Sequence, residues 1–124
     1  MTEDAIAKEI VDVAFKMHTV LGPGLFESVY EASELQKRGL RRARQQPIPV
    51  VYEGTVLEMG FRADIVIEDK VIVEIKSIAE IGALHKKQLL TYLRLADKRL
   101  GLLINFNVAR IKDGITRIAN GLEE

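Results

Sequence analysis

The sequence predicts a mixed α/β (α+β) domain, with helices packed on a central, mixed and mostly antiparallel sheet. Three observations predict it. The N-terminal stretch and the stretch Ile81 to Ala96 carry apolar residues at helical spacing. Between them, Gly60 to Ser77 (GFRADIVIEDKVIVEIKS) alternates apolar and polar residues, the period-two signature of pleated strands. Short apolar runs separated by turn residues follow the later helix. The resulting order is helix, helix, a run of strands, helix, strand, strand.

Bulk properties bound the answer. The chain has 124 residues, which fits one domain over 1–124 that buries roughly two-thirds of its unfolded surface. It has no cysteine, which fits a reducing, cytoplasmic setting and excludes disulfides and thiolate metal sites. The 18 basic residues balance 18 acidic ones. That balance disfavours a uniformly basic nucleic-acid coat but leaves room for a local patch. No apolar run approaches the roughly 20 residues of a membrane span, and MTEDAIAKEI lacks a signal-peptide pattern. No membrane association is expected.

Thr2 to Val20 read as an amphipathic helix. Thr2 is a fitting N-cap, Glu3 and Asp4 suit the first turn, and Ile6, Ile10, Val13, Met17 and Leu21 form the expected buried stripe. His18 reads either as a C-terminal residue interacting with the last carbonyls or as a polar neighbour of a site. Gly22-Pro23-Gly24 breaks the helix. A second begins near Phe26, with Val29, Ala32 and Leu35 (or Leu25) as its apolar side, and ends around Lys37–Gly39. Glu27 and Tyr30 are three apart and share a face. Glu27 lies in the first turn, where the helix dipole alone would account for it.

Lys37, Arg38, Arg41, Arg42 and Arg44 form the densest basic run. It reads as a solvated edge or as a phosphate-backbone contact built from Arg41, Arg42 and Arg44. Pro47 and Pro49 permit at most an edge strand there. Val50 to Tyr52 and Val56 to Met59 predict a hairpin turning at Glu53-Gly54-Thr55. In the later helix Leu84, Leu89, Leu90, Leu93 and Ala96 mark the buried side. Gln88 and Tyr92, four apart, share a face with His85 one turn before, and are structural hydrogen bonders or site residues. Lys86 and Lys87 fall at the outer surface or a groove rim. Leu100 to Asn105 (LGLLIN) fits a strand covered on both faces. Val108 to Lys112 predicts a short strand, Asp113-Gly114 a turn, Ile115 to Ile118 a last strand, and Ala119 to Glu124 a frayed end.

The central hairpin holds the unusual chemistry. Asp64 sits in its first strand, and Glu74 and Lys76 in its second, all flanked by Ile and Val. Acids and lysine are depleted in strands and rarely buried unpaired. Glu74 and Lys76 share a face, with Ile75 on the other. Asp64 joins them only in one register. Pairing Asp64 with Glu74 sets Ile67 opposite Val71 and leaves Glu68, Asp69 and Lys70 as a three-residue loop, whereas a two-residue loop would put Asp64 on the wrong face. The spacing predicts the longer loop, or a bulge that restores the phase.

Asp64, Glu74-Ile75-Lys76 and the helix carrying Gln88 and Tyr92 resemble the PD-(D/E)XK nuclease superfamily. The small-domain branch of GxxExxY proteins is the closer likeness. Its motif stands here as Gly24-Leu25-Phe26-Glu27-Ser28-Val29-Tyr30, beside His18, Gln88-x-x-x-Tyr92 and Leu100 to Asn107 (LGLLINFN). The likeness spans nearly the whole chain and implies a PD-(D/E)XK nuclease-like core.

It also implies a catalytic set of Glu27, Asp64, Glu74, Lys76, Gln88 and Tyr92. A hard divalent cation screens phosphodiester charge and acidifies a bound water. Asp64 and Glu74 would be its principal ligands, with the Ile75 carbonyl and Glu27 added. Lys76 would orient or deprotonate the attacking water, and Gln88 and Tyr92 would position phosphate or ligands. Oxygen ligands favour Mg²⁺, with Mn²⁺ also suitable. The expected partner is nucleic acid, DNA before RNA, contacted by Arg41, Arg42, Arg44, Lys86 and Lys87. A homodimer would let two small subunits span a duplex. The competing reading is a catalytically silent module for nucleic-acid binding or protein assembly, in which Asp64, Glu74 and Lys76 merely form a salt-bridged triad.

Overall fold

The computed structural model describes residues 1–22, 35, 37–57 and 61–122. The predicted helix carrying Glu27 and Tyr30, and the continuation of the Val56 strand past Leu57, lie outside the described residues.

Helix α1 spans Glu3–Leu21. Thr2 caps it, its hydroxyl accepting the Ala5 N–H at 3.1 Å. Ile6, Ala7, Ile10, Val13, Ala14 and Met17 form the buried stripe. Leu21 is exposed, contrary to the spacing. The stripe has already rotated past the core at the last turn, and Gly22, with φ 77°, ends the helix there.

Strands β1 (Arg42–Pro47), β4 (Arg62–Ile67), β5 (Val71–Lys76), β6 (Leu100–Asn105) and β7 (Ile115–Ala119) make one sheet in the order β1-β4-β5-β6-β7. Among the described strands of this sheet only β5 and β6 run parallel. Helix α2 (Ala83–Ala96) links them, as a parallel pair requires a crossover. Strands β2 (Val50–Tyr52) and β3 (Thr55–Leu57) form a separate hairpin. Tyr52 pairs with Thr55, so its loop is two residues rather than three. Glu53 and Gly54 both take positive φ, 48° and 78°, which suits a two-residue turn.

The sheet is covered on both faces. One face presents Ile65, Ile67, Val71, Val73, Leu102 and Ile104 to α1. The other presents Val66, Ile72 and Leu103 to Leu89, Tyr92 and Leu93 of α2. All six residues of β6 are buried, as its continuous apolar run predicts. Gly101 is small because Leu89 crosses it: an added Cβ would lie 2.9 Å from the leucine side chain.

Three further expectations are corrected. Leu84 is 77% exposed, because the first turn of α2 projects beyond the sheet. Residues 107–110 form bends and Ile111–Gly114 a 3₁₀ turn, not a strand. An added Cβ on Gly114 would lie 2.2 Å from the Asn105 carbonyl oxygen, a close approach that extended pairing would not give. The tail is held at least to Gly121, since Asn120 donates its N–H to the Arg99 carbonyl (2.8 Å) and Arg99 donates to the Gly121 carbonyl (3.1 Å).

Candidate active site

The β4–β5 register decides whether the acids meet. Ile65 pairs with Val73, Val66 with Ile72 and Ile67 with Val71. Glu68, Asp69 and Lys70 form the three-residue loop, closed by the Lys70 N–H on the Ile67 carbonyl at 3.0 Å. Glu68 and Asp69 take left-handed backbone (φ 53° and 54°), a cost for residues with a Cβ. Side-chain contacts brace the loop: Glu68 meets Arg41 at 2.9 Å, and Asp69 meets Lys98 at 2.9 Å.

This phase carries Asp64 opposite Glu74. The ladder stops one pair short of them, and the Asp64 carboxylate takes over: its Oδ2 accepts the Ile75 N–H at 2.8 Å. On the other side of Asp64 the edge strand also relaxes. Arg44 pairs with Ile65 and Gln46 with Ala63, while Gln45 between them has φ 53° and drops out of the ladder.

Glu74 is 5% exposed, and its Oε1 is buried with no hydrogen-bond partner among the described residues. Burial, then the hydrogen-bonding contact and charge of Asp64, push its carboxyl up to about 9, against a smaller opposing pull from Lys76. Lys76 follows on the same face and is half-buried. Among the described residues it makes no ion pair with either acid. Ile75 packs against the α1 side, so only its backbone faces this chemistry.

Helix α2 roofs the site. Tyr92 is 7% exposed and packs against Phe61 with the rings tilted by 55° and their centroids 5.4 Å apart. Its hydroxyl accepts a hydrogen bond from Gln88 Nε2 at 3.0 Å. Burial first, then the charges of Glu74 and Asp64, raise the Tyr92 phenol above its ordinary value. The Gln88–Tyr92 pair is therefore both bonded internally and within the field of the two acids.

A loop staple holds the far end of β5. Asn105, buried beside Lys76 in the parallel register, accepts the Ile78 N–H (3.1 Å) and the Asn107 N–H (3.2 Å), and donates to the Ile78 carbonyl (2.9 Å). Its signal in the sequence was an amide closing an otherwise apolar run. His18 is drawn elsewhere: its Nε2 bonds the Val108 carbonyl at 2.8 Å and its ring stacks on Phe106. It ties α1 to the loop after β6, and neither caps its own helix carbonyls nor enters the site.

The basic residues do not converge on the acids. Arg41 is paired with Glu68 at the hairpin turn. Arg42 and Arg44 stand opposite Ile67 and Ile65, whose side chains face α1, so they lie on the reverse face from Glu74. Lys86 lines a cavity of about 290 Å³ with Ile81, Asn105 and Thr116, beyond the end of β5. Lys87 is exposed. Glu27, with the rest of the GxxExxY segment, lies outside the described residues.

The donor set suits a hard cation. Two carboxylates adjoin on one face, and one buried oxygen lacks a partner. Among the described residues they are a pair, without a third acid or histidine gathered at the same point.

A mixed sheet that brings two acids and a lysine together under one crossover helix is the frame of a nuclease-like α/β domain. The particular family is given by comparison with family models: the PD-(D/E)XK nuclease superfamily matches residues 4–118, and the chain belongs to it. No curated protein and no solved structure matches. Among the described residues no helix is long and apolar enough to cross a membrane.

Proposed function

We propose that this chain is a metal-dependent phosphodiesterase of the GxxExxY branch, acting on nucleic acid, with DNA placed ahead of RNA. One observation carries the reading: Asp64 and Glu74 adjoin on one face of the sheet, and a buried Glu74 oxygen has no partner among the described residues. Two adjoining acids with that deficit are compensated by a proton or a cation. A fold that needed only stability would gain more from apolar residues there.

Asp64 and Glu74 would hold the ion, with the Ile75 carbonyl and Glu27 as further ligands, and oxygen donors favour Mg²⁺ or Mn²⁺. When bound, the cation would supply charge neutralisation and Lewis-acid activation at the phosphate. Lys76, beside the acids yet unpaired with them, has its ammonium available to orient the attacking water and to stabilise developing charge. Tyr92 and Gln88 limit solvent above Glu74 and present polar groups to the phosphate.

The test is hydrolysis of single- and double-stranded DNA and of RNA with Mg²⁺ or Mn²⁺, comparing wild type with Asp64→Ala and Lys76→Ala. Loss of cleavage in both variants supports the reading. Wild type without cleavage, together with no heat of Mn²⁺ binding in the presence of nucleic acid, favours a silent module instead.

A further inference from the structure

Helix α2 carries a histidine that the catalytic set does not use. His85 lies seven residues before Tyr92, two turns along the same helical face and so about 10 Å nearer the N-terminus. That face is the buried one, since Leu89, Tyr92 and Leu93 pack on the sheet. His85 is nevertheless only half-buried, because the sheet ends before it. The strands beneath stop at Lys76 and Asn105. The lane between the first two turns of α2 and the end of β5 therefore runs from Glu74 and Tyr92, past Lys76 and Gln88, to His85.

The ring is fixed within this lane. His85 Nδ1 accepts the Gly82 N–H at 3.0 Å. An accepting Nδ1 carries no proton, so the hydrogen of the ring resides on Nε2. Among the described residues Nε2 has no partner. The first turn around it holds no acidic residue, and Lys86 is the next residue.

We infer that His85 is a substrate-binding residue, donating from Nε2 to a backbone phosphate of a nucleic-acid strand lying along α2, displaced along the strand from the phosphate that reacts at Glu74. The inference rests on the proposed phosphodiesterase reading. It defines the substrate as a polynucleotide with at least one phosphate beyond the scissile one.

The test uses the full chain, Ca²⁺ and a short single-stranded oligodeoxynucleotide, with ring nitrogens followed by ¹⁵N NMR and affinity by fluorescence anisotropy. The expected result is an Nε2–H tautomer in the free protein, an Nε2 shift on adding the oligonucleotide, and about tenfold weaker binding for His85→Ala, the scale of one hydrogen bond to a charged group. His85→Asn keeps a short acceptor near the Gly82 N–H, but its shorter side chain has no donor that reaches the position of Nε2. It should recover the melting temperature while leaving affinity low, which a merely structural histidine would not do. Oligonucleotide binding that leaves the His85 ring unmoved, with both variants binding like wild type, overturns the inference while the phosphodiesterase reading stands. Absence of both binding and cleavage in wild type overturns the two together.

Discussion

The side chain of Asp64 holds the main-chain N–H of Ile75 at 2.8 Å, across the two central strands, where backbone pairing has already stopped. One oxygen of the acid thus closes the hairpin and leaves the other for the chemistry beside Glu74. The two roles separate by substitution. Asp64→Asn keeps an acceptor for the Ile75 N–H and should unfold within about 1 kcal/mol of wild type. Asp64→Ala leaves that half-buried N–H unsatisfied and should cost about 1–3 kcal/mol. Both should lose cleavage by at least about a hundredfold, the scale on which mutagenesis removes one electrostatic stabiliser of a reacting group. Urea unfolding and nuclease assays on both variants check the split. Equal activity in Asp64→Asn and wild type would remove the acid from the chemistry.

Glu74 makes the metal-free protein pH-sensitive. Its folded value is raised to about 9 from 4.5 by burial and by Asp64. Between those values the folded state retains a proton that the unfolded chain has lost. Stability is therefore greatest below the unfolded value and falls as pH rises towards the folded one, by at most about 1.4 kcal/mol per pH unit for one proton. Urea melts in EDTA from pH 5 to 9 should show the decline. Glu74→Gln should flatten it and be the more stable protein at pH 8. Saturating Mn²⁺ should restore wild type at pH 8, with proton release on binding, and leave Glu74→Gln little changed.

Much of this arrangement was legible in the sequence because it follows from parity. An acid and a glutamate on successive strands share a face only for certain loop lengths, and Glu68-Asp69-Lys70 satisfies that condition. The continuous apolar run LGLLIN likewise announced a doubly covered strand. What stayed hidden depends on where elements end relative to one another. Helical spacing marks Leu84 and Leu21 as core, but both lie where their helices leave the sheet. Spacing cannot report that Arg42 and Arg44 face away from Glu74, since the pairing partner of β1 is set by tertiary structure. The His18 ring finds its partner ninety residues on, a contact no local pattern encodes.

The Tyr92 hydroxyl is anchored by Gln88 at 3.0 Å above the acids. Tyr92→Phe keeps the ring contact with Phe61 and removes only the hydroxyl, so stability should change by about 1 kcal/mol or less. Cleavage should fall by roughly tenfold through kcat, if the hydroxyl acts on the reacting phosphate. Gln88→Ala should produce a smaller effect in the same direction. Steady-state kinetics on both variants, with Tm as a control, checks the order. A Tyr92→Phe enzyme at wild-type rate would reduce Tyr92 to packing.

Gly101 and Gly114 test the frame under the site in different ways. At Gly101 an added methyl meets the Leu89 side chain at 2.9 Å. A leucine terminus can shift rotamer, so Gly101→Ala should cost about 1–3 kcal/mol by overpacking and spare the geometry of β5. At Gly114 the methyl would lie 2.2 Å from the Asn105 carbonyl oxygen, which is backbone and cannot swing aside. The 3₁₀ turn must move away from Asn105, whose side chain holds Ile78 by two hydrogen bonds just beyond Lys76. Gly114→Ala should therefore destabilise more than Gly101→Ala and also reduce cleavage at temperatures where the variant remains folded. Asn105→Asp loses the donor to the Ile78 carbonyl and places a charge in a buried position, so it should share that phenotype. Chemical denaturation paired with activity at low temperature separates loss of fold from displacement of Lys76. If Gly114→Ala proves as stable and as active as wild type, the loop after β5 is not held by Asn105.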